Sequence, residues 1–220
     1  MKKYILTLVA ITSILFSACK KDNSNQPGDN TTGTYQPVTT GSTWSYRNET
    51  FAIGDIGDAE LDTTVNTMTA ATKIYNGKTF HKLTSVTGIE TESTYFGFTD
   101  HVYYNHSFNA EADAELELPY LNEETAVNGT WTTPLTVSEG PESQLKGTIV
   151  EKNINKTILG KSYANVIHSK LELQSKIGGV FTTVFTFDFY VAKNIGVVAI
   201  YTSYDGNQLS KSELISHNIK

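Results

Sequence analysis

Residues 181–191 alternate between apolar and polar side chains, and this pattern restricts the fold more than any other feature of the chain. One face of the stretch is apolar and the other is polar: Phe181, Phe185, Phe187, Phe189 and Val191 against Thr182, Thr186 and Asp188. A period of two is typical of a β-strand that buries one face. The dipeptides Gly178-Gly179 and Asp205-Gly206 on either side are typical of tight hairpin turns. The C-terminal third is therefore predicted to be an antiparallel meander.

The composition extends this prediction to the rest of the chain. Aromatic residues make up 11% of the 220 residues, whereas charged residues make up only 18%. Thr, Tyr, Phe and Val favour strands, and little of the chain suits long amphipathic helices. Asn76-Gly77 is another signal for a hairpin turn. We therefore predict an all-β protein in which residues 35–220 form one domain, built as a curled antiparallel sheet, a half-barrel or a sandwich.

Three sequence landmarks occur twice in the same order and suggest an internal duplication. Residues 41–44 (GSTW) match 129–131 (GTW), the turn at 76–77 matches the one at 159–160, and aromatic strands follow at 94–104 and 185–191. This repetition predicts two similar β-meander halves, residues 35–110 and 118–220. Neither half buries a full core alone, so their apolar faces are expected to close against each other or to continue one curled sheet. Chance similarity between two β-rich halves is the alternative.

The N-terminus has the layout of a secretory signal peptide, residues 1–18. Lys2 and Lys3 precede an apolar run over residues 4–16, which is shorter than the ~20 apolar residues of a membrane-spanning helix. The run ends in residues 15–19 (LFSAC), and this ending resembles the lipid-attachment signal of bacterial lipoproteins. The resemblance implies that Cys19 is lipidated, begins the mature chain and is held in the membrane by several acyl chains such as palmitate. An ordinary signal peptide with a chance cysteine is the alternative.

The residues after the signal set the charge and the reach of the mature chain. Cys19 is the only cysteine, so a lipidated chain has no thiol left for a disulfide, a metal ligand or a nucleophile. Residues 19–34 are polar and are predicted to be a flexible tether. The net charge is −6, and removal of Lys2 and Lys3 with the signal leaves −6 − 2 = −8. Such an acidic chain argues against nucleic acid as a partner and against electrostatic adhesion to anionic lipid.

An acidic stretch near residue 115 has two interpretations. Glu111, Asp113, Glu115 and Glu117 alternate with apolar residues, so all four carboxylates would share one strand face. Several carboxylates together suit a hard cation such as Ca²⁺, but the stretch lacks the glycine turn of a compact calcium loop. We favour a charged edge strand that is protected from aggregation, and we predict no metal site and no cofactor.

Aromatic residues are the candidates for ligand binding. Trp44 and Trp131 begin the two predicted repeats and suit either stacking on sugar rings or core packing, and core packing is favoured. Tyr95 and Phe98, in the aromatic run of residues 94–104, are the other two candidates.

No catalytic residue is assigned, because the sequence contains no motif for a serine nucleophile, a zinc protease site or a phosphate loop. Asp100 and Asp188 each interrupt an aromatic strand. They would be the carboxylate pair if the protein were a glycoside hydrolase.

Two short motifs add a family resemblance. Gly41, Trp44 and Tyr46 form a Gly-x-x-Trp-x-Tyr motif, and residues 190–198 (YVAKNIGVV) follow a Tyr-x-Ala-x-x-Ile-Gly-x-Val pattern. Together with the lipid-attachment signal, these motifs are similar to those of small Bacteroidetes outer-membrane lipoproteins. The resemblance implies a curled antiparallel sheet, related to the half-barrels of periplasmic lipoprotein carriers, and it implies no catalytic residues.

The sequence therefore predicts a non-enzymatic lipoprotein anchored in the outer membrane, on its periplasmic face or at the cell surface. Its curled sheet is expected to bind one of three partners. These are an apolar ligand such as a lipid, a glycan ligand, or a partner protein. A glycan-acting hydrolase and a purely structural or adhesive surface protein are the alternatives. Asp62-Thr63-Thr64 also resembles the tripeptide that Bacteroidetes O-glycosylate on exported proteins.

Overall fold

The structure is a computed structural model that describes residues 34–52, 60–109, 114–135 and 141–220. The predicted signal peptide, Cys19, residues 20–33 of the predicted tether, Glu111 and Asp113 lie outside the described residues. Twelve strands make up most of the described chain: β1 (Thr43–Thr50), β2 (Glu60–Tyr75), β3 (Lys78–Thr87), β4 (Glu90–Thr99), β5 (Val102–Asn109), β6 (Ala114–Asn122), β7 (Thr130–Leu135), β8 (Ser143–Ile158), β9 (Lys161–Ile177), β10 (Val180–Ala192), β11 (Gly196–Tyr204) and β12 (Asn207–Asn218). Within these ranges there is no helix with the length and apolar character needed to cross a membrane.

All twelve strands belong to one antiparallel sheet, which confirms the all-β prediction. The order across the sheet is β6-β5-β4-β3-β2-β1-β12-β11-β10-β9-β8-β7. Each half of the chain is therefore a six-stranded meander, and the two meanders join where β1 pairs with β12. The sheet curls until it is nearly closed into a barrel. This curl gives the sheet an inner face and an outer face.

Alternation along β10 sorts its side chains between the two faces as predicted. Phe185, Phe187 and Phe189 are 1%, 4% and 3% exposed and belong to the core on the inner face. Asp188 and Thr186 lie between them and are only partly buried. Burial of each phenylalanine contributes roughly 1.5–3 kcal/mol to the stability of the core.

The predicted hairpin turns are also confirmed. Asn76 (φ 47°) and Gly77 (φ 73°) connect β2 to β3, and Asp205 (φ 46°) and Gly206 (φ 77°) connect β11 to β12. These left-handed backbone angles cost glycine nothing and are tolerated by Asn and Asp, and they match the twist of the strands that they join.

The end strand β6 packs against β8 and β9 of the other meander at a seam that side chains close. The Ser169 hydroxyl of β9 donates a hydrogen bond to the carbonyl of Tyr120 in β6 at 2.7 Å. The Trp131 indole of β7 donates to the carbonyl of Pro119 at 3.3 Å. Carbonyls on the edge of β6 are thus satisfied without a strand ladder across the seam.

A long hairpin in each half bends over the outer face of the strands that follow it. At the end of the β2–β3 hairpin, the Tyr75 ring lies 4.4 Å from His106 of β5. At the end of the β8–β9 hairpin, Lys156 lies 3.8 Å above the ring of Tyr190 in β10, and Lys161 donates to the carbonyl of Ile215 in β12 at 2.5 Å. Shifts in pairing register interrupt both hairpins and allow them to bend.

The repeated landmarks fall on corresponding strands of the two meanders. Trp44 and Trp131 lie in β1 and β7, and the two matched turns connect β2 to β3 and β8 to β9. The turn glycines Gly77 and Gly160 are 160 − 77 = 83 residues apart, and β2 and β8 have the same length of 16 residues. The origin of the two halves by duplication stays a prediction.

Candidate functional site

A cavity of about 60 Å³ lies on the inner face, within the curl of the sheet. Its walls combine rings and aliphatic groups with neutral polar side chains: Tyr46, Asn66, Leu83, Ser85, Thr94, Phe96, Asn105, Tyr120, Phe189, Val197, Ile200 and Ser212. Binding sites for small molecules are typically mostly apolar with a few placed polar groups. This cavity has that character, so it is the candidate functional site.

The two asparagines of the cavity occupy strand positions that usually hold apolar side chains. On β2, Asn66 lies two residues from the buried Thr64 and Met68. On β5, Asn105 lies two residues from the buried Tyr103 and is itself only 5% exposed. Neither asparagine is among the residues predicted from the sequence to bind a ligand. The signal available for Asn105 was its place in the period-two register of an aromatic strand, where an amide faces the core.

The hydrogen bonds of Thr94 fix the orientation of the Asn105 amide. The Thr94 hydroxyl donates its single proton to the carbonyl of His106 at 3.2 Å. It must therefore accept from Asn105, whose Nδ2 lies 3.1 Å away. The Asn105 Oδ1 is left without a donor among the described residues. A buried acceptor without a partner costs about 1–3 kcal/mol, which a bound donor would recover.

Most hydroxyl groups of the cavity wall already donate a hydrogen bond within the protein. Tyr46 donates to the carbonyl of Val197 at 2.7 Å, and Tyr120 donates to Gln36 Oε1 at 3.3 Å. Ser212 donates to Asn48 Oδ1 at 2.8 Å. Burial raises the pKa of both tyrosines, so their hydroxyls stay protonated. These three hydroxyl groups are therefore not free to donate to a ligand.

Aromatic rings form the apolar side of the cavity. Phe96 and Tyr120 meet edge to face with ring centroids 6.0 Å apart, and Tyr120 lies 5.3 Å from Phe189. These geometries are favourable and hold the rings in place. Because β4, β6 and β10 each contribute one ring, the cavity depends on the curl that brings distant strands together.

Trp44 lies in the core. Its side chain is 2% exposed, and its indole donates to the carbonyl of Ile195 at 2.6 Å. The ring packs within the core, and a ligand-binding role for Trp44 stays a prediction. Trp131 is half-buried at the seam, where it packs against Gly147 and bonds Pro119.

Tyr95 and Phe98 lie outside the cavity. Tyr95 is on β4 with its ring 6.1 Å from His106 and 5.8 Å from the ammonium group of Lys73. Phe98 is 45% exposed and packs on Tyr103 at 4.6 Å. A ligand-binding role for Trp131, Tyr95 and Phe98 stays a prediction.

Asp100 and Asp188 have different surroundings. Asp100 is exposed in the turn between β4 and β5 with φ 50°. Asp188 lies in the middle of β10, and its Oδ1 is 2.7 Å from Nε2 of His168. His168 also approaches Glu151 at 3.5 Å and stacks on Tyr190. The hydrolase pair stays a hypothesis.

The described part of the acidic stretch lies at the edge of the sheet, in β6. Glu115 accepts from Lys73 at 2.8 Å, and Glu117 pairs with Lys78 of the β2–β3 hairpin. Among the described residues, no three His, Cys, Asp or Glu side chains come together as a metal site.

His106 is the most deeply buried histidine of the described chain, at 1% exposure. Its Nε2 lies 2.5 Å from Glu115 Oε2, and the rings of Tyr75 and Phe80 cover it. Burial lowers the pKa of His106, and the nearby Glu115 only partly opposes this effect. Burial also lowers the pKa values of His81 and His217.

The three histidines with lowered pKa values make stability depend on pH. Their pKa values are lowered in the folded protein, so below the ordinary value of about 6.5 the unfolded chain binds more protons. The free energy of unfolding is therefore expected to fall between pH 7.5 and 5.5, by up to about 1.4 kcal/mol per pH unit for each extra proton. Urea unfolding at both pH values measures this. The variant His106→Phe, which keeps an aromatic ring in place, should show a smaller fall, and an unchanged fall would contradict the assignment.

Comparisons with known proteins support the fold. No protein-family model and no curated protein matches the chain. A solved structure from Parabacteroides distasonis, named as a candidate lipoprotein, is similar with a TM-score of 0.53 and 10% identity over 86% of this chain and 100% of that one. A candidate exported protein with a YmcC-like fold from Bacteroides fragilis has a TM-score of 0.46 and 10% identity over 83% and 97% of the two chains. At such low identity the first likeness shows a shared fold.

Proposed function

We propose that this chain is a non-enzymatic lipoprotein of the cell envelope that binds a small ligand on the inner face of its curled sheet. The observation that carries the proposal is the cavity, which combines aromatic walls with buried acceptors that lack donors. A structural scaffold alone gains nothing from an unpartnered Asn105 in its core, because such a group costs stability.

Two observations support a location in the cell envelope. The N-terminal sequence ends in the LFSAC segment that resembles a lipid-attachment signal. The Parabacteroides distasonis structure with the same fold is named as a candidate lipoprotein. Cys19 is the residue that would carry the lipid, and the outer membrane is the membrane that the resemblance implies.

The anchor can be tested by one substitution. Cys19→Ser is expected to move the protein from the membrane fraction to the soluble fraction and to abolish incorporation of labelled fatty acid, because no other thiol exists. Immunoblots of the two fractions measure the first effect. A variant that stays in the membrane without fatty acid would show that another segment holds it there.

The ligand can be sought with a matched pair of variants. Ile200→Phe adds a ring inside the cavity, whereas Ile177→Phe adds one at a 61% exposed position at the end of β9. The full chain and both variants are purified in detergent from native envelope, and the small molecules released on denaturation are identified by mass spectrometry. We expect one compound from the unaltered chain and from Ile177→Phe that is depleted at least about tenfold from Ile200→Phe.

Circular dichroism would establish that both variants keep the β-fold. Equal recovery of every compound from all three proteins would contradict the proposal, and so would recovery of none.

Thr63 of the predicted glycosylation tripeptide is exposed on β2, while its neighbour Asp62 accepts from Asn48 at 2.6 Å. The hydroxyl is on an accessible residue, and its modification stays a prediction.

A further inference from the structure

We infer that the cavity selects a neutral group that donates hydrogen bonds, such as a sugar hydroxyl, over a group of the same shape that only accepts them. This inference rests on the proposed function and names the chemistry of the ligand group that enters the site.

Buried acceptors create the selectivity. Asn105 Oδ1 and Asn66 Oδ1 are both buried atoms without a hydrogen-bond partner among the described residues, and both residues line the cavity. The Thr94 contact prevents the Asn105 amide from turning its nitrogen to the guest, since Thr94 needs that nitrogen as its donor. At least one acceptor is thus fixed in place.

The hydroxyl groups of the lining do not supply the missing donors. Of the five lining residues that carry a hydroxyl, Tyr46, Thr94, Tyr120 and Ser212 already donate elsewhere, which leaves only Ser85. A guest that brings only an acceptor would leave the Asn105 and Asn66 oxygens unpaired. A guest that brings a donor would satisfy a group that is otherwise left unpaired.

The lining also determines the charge of the guest. None of the twelve lining residues carries a charged side chain. An ion that entered would lose its hydration without gaining a counter-charge, at a cost far above that of a hydroxyl. A neutral hydroxyl with an apolar body satisfies the acceptors and contacts the rings of Phe96 and Phe189.

Water is the competitor for this site. A single water needs roughly 10–15 Å³ of such space, so a cavity of about 60 Å³ has room for several. Water also donates hydrogen bonds, and a guest that displaces it without replacing those bonds loses affinity. A guest with hydroxyl groups can replace them, whereas a ketone cannot.

A pair of small probes of equal shape tests the inference on the full chain in detergent. 2-Propanol donates a hydrogen bond, and acetone differs mainly by lacking that donor. Both are titrated while the methyl NMR signals of Leu83, Val197 and Ile200 are followed, since these groups line the cavity. We expect 2-propanol to bind about tenfold more tightly than acetone, from the cost of one unpaired acceptor.

Two variants localise the effect. Asn105→Leu removes the fixed acceptor oxygen. Asn66→Leu removes the second acceptor oxygen and replaces the first variant in the test if Asn105→Leu fails to fold. In either variant the preference for 2-propanol is expected to shrink severalfold, while Thr63→Val at an exposed position of β2 should leave it unchanged.

Equal binding of the two probes would overturn the inference, and so would methyl signals that respond to neither. The two proposals fail separately. A ligand recovered from the envelope that lacks any hydrogen-bond donor would overturn the inference and leave the proposed function. Selective binding of 2-propanol, with no ligand recovered from the envelope, would overturn the proposed function and leave the inference.

Discussion

Replacement of Trp44 by alanine is expected to lower the free energy of unfolding by about 3–5 kcal/mol, as for other large aromatic side chains removed from a core. The ring is 2% exposed and belongs to the same core cluster as Met68 and Leu214, so its loss leaves a void that the sheet can fill only in part. The lost indole also leaves the Ile195 carbonyl without its donor. Urea unfolding followed by fluorescence of Trp131 and by circular dichroism measures the loss.

The variant Trp44→Phe separates the two contributions. It keeps most of the apolar surface but lacks the indole donor, so it should cost less than the alanine variant and still about 1–3 kcal/mol. If Trp44→Ala left stability within about 0.5 kcal/mol of the unaltered chain and weakened ligand binding, the sugar-stacking interpretation would replace the core interpretation.

Gly147 on β8 is the second position where a small change is expected to have a large effect. A methyl group there would lie 2.0 Å from Cε2 of the Trp131 ring, closer than any real contact. Gly147→Ala must therefore displace the indole, which would lose its bond to Pro119 across the seam. We expect a loss of about 1–3 kcal/mol from overpacking.

A double-mutant cycle tests that cause. Trp131→Ala removes the ring that the new methyl group would meet. In the Trp131→Ala background, Gly147→Ala should therefore lower the free energy of unfolding only a little, or even stabilise the strand. The expected coupling is about 1 kcal/mol or more. Purely additive effects would show that Gly147 is needed for some reason other than the room it gives to Trp131.

The fold was most predictable where the residues of a single strand or turn carry a complete local pattern. The phenylalanines of β10 alternate with polar residues, and the inner face receives them because the strand period is fixed at two. The Asn76-Gly77 turn was equally predictable from the sequence, since few residue pairs adopt two left-handed conformations in succession.

The cavity could not be predicted in the same way. β2 reads ELDTTVNTMTAATKIY, and its many threonines suit either face, so Asn66 gives no sign of pointing inward. Asn105 does lie in a clear register. Its Oδ1 lacks a donor, however, because Thr94 of a neighbouring strand fixes the orientation of the amide. The bends of the two long hairpins depend on contacts with strands further along the chain, and no local sequence pattern encodes those contacts.

The pairing of β1 with β12 has a consequence for how the chain folds. Thr43 pairs with Asn218, and the two residues are 218 − 43 = 175 positions apart in sequence. Each meander contains contacts between neighbouring strands and can form early, but β1 keeps one open edge until the last strand has arrived. Contacts of such long range make folding slow, and an open edge during that interval invites pairing with other chains. The step that unites the two halves is therefore the one at which this protein is most exposed to misassembly.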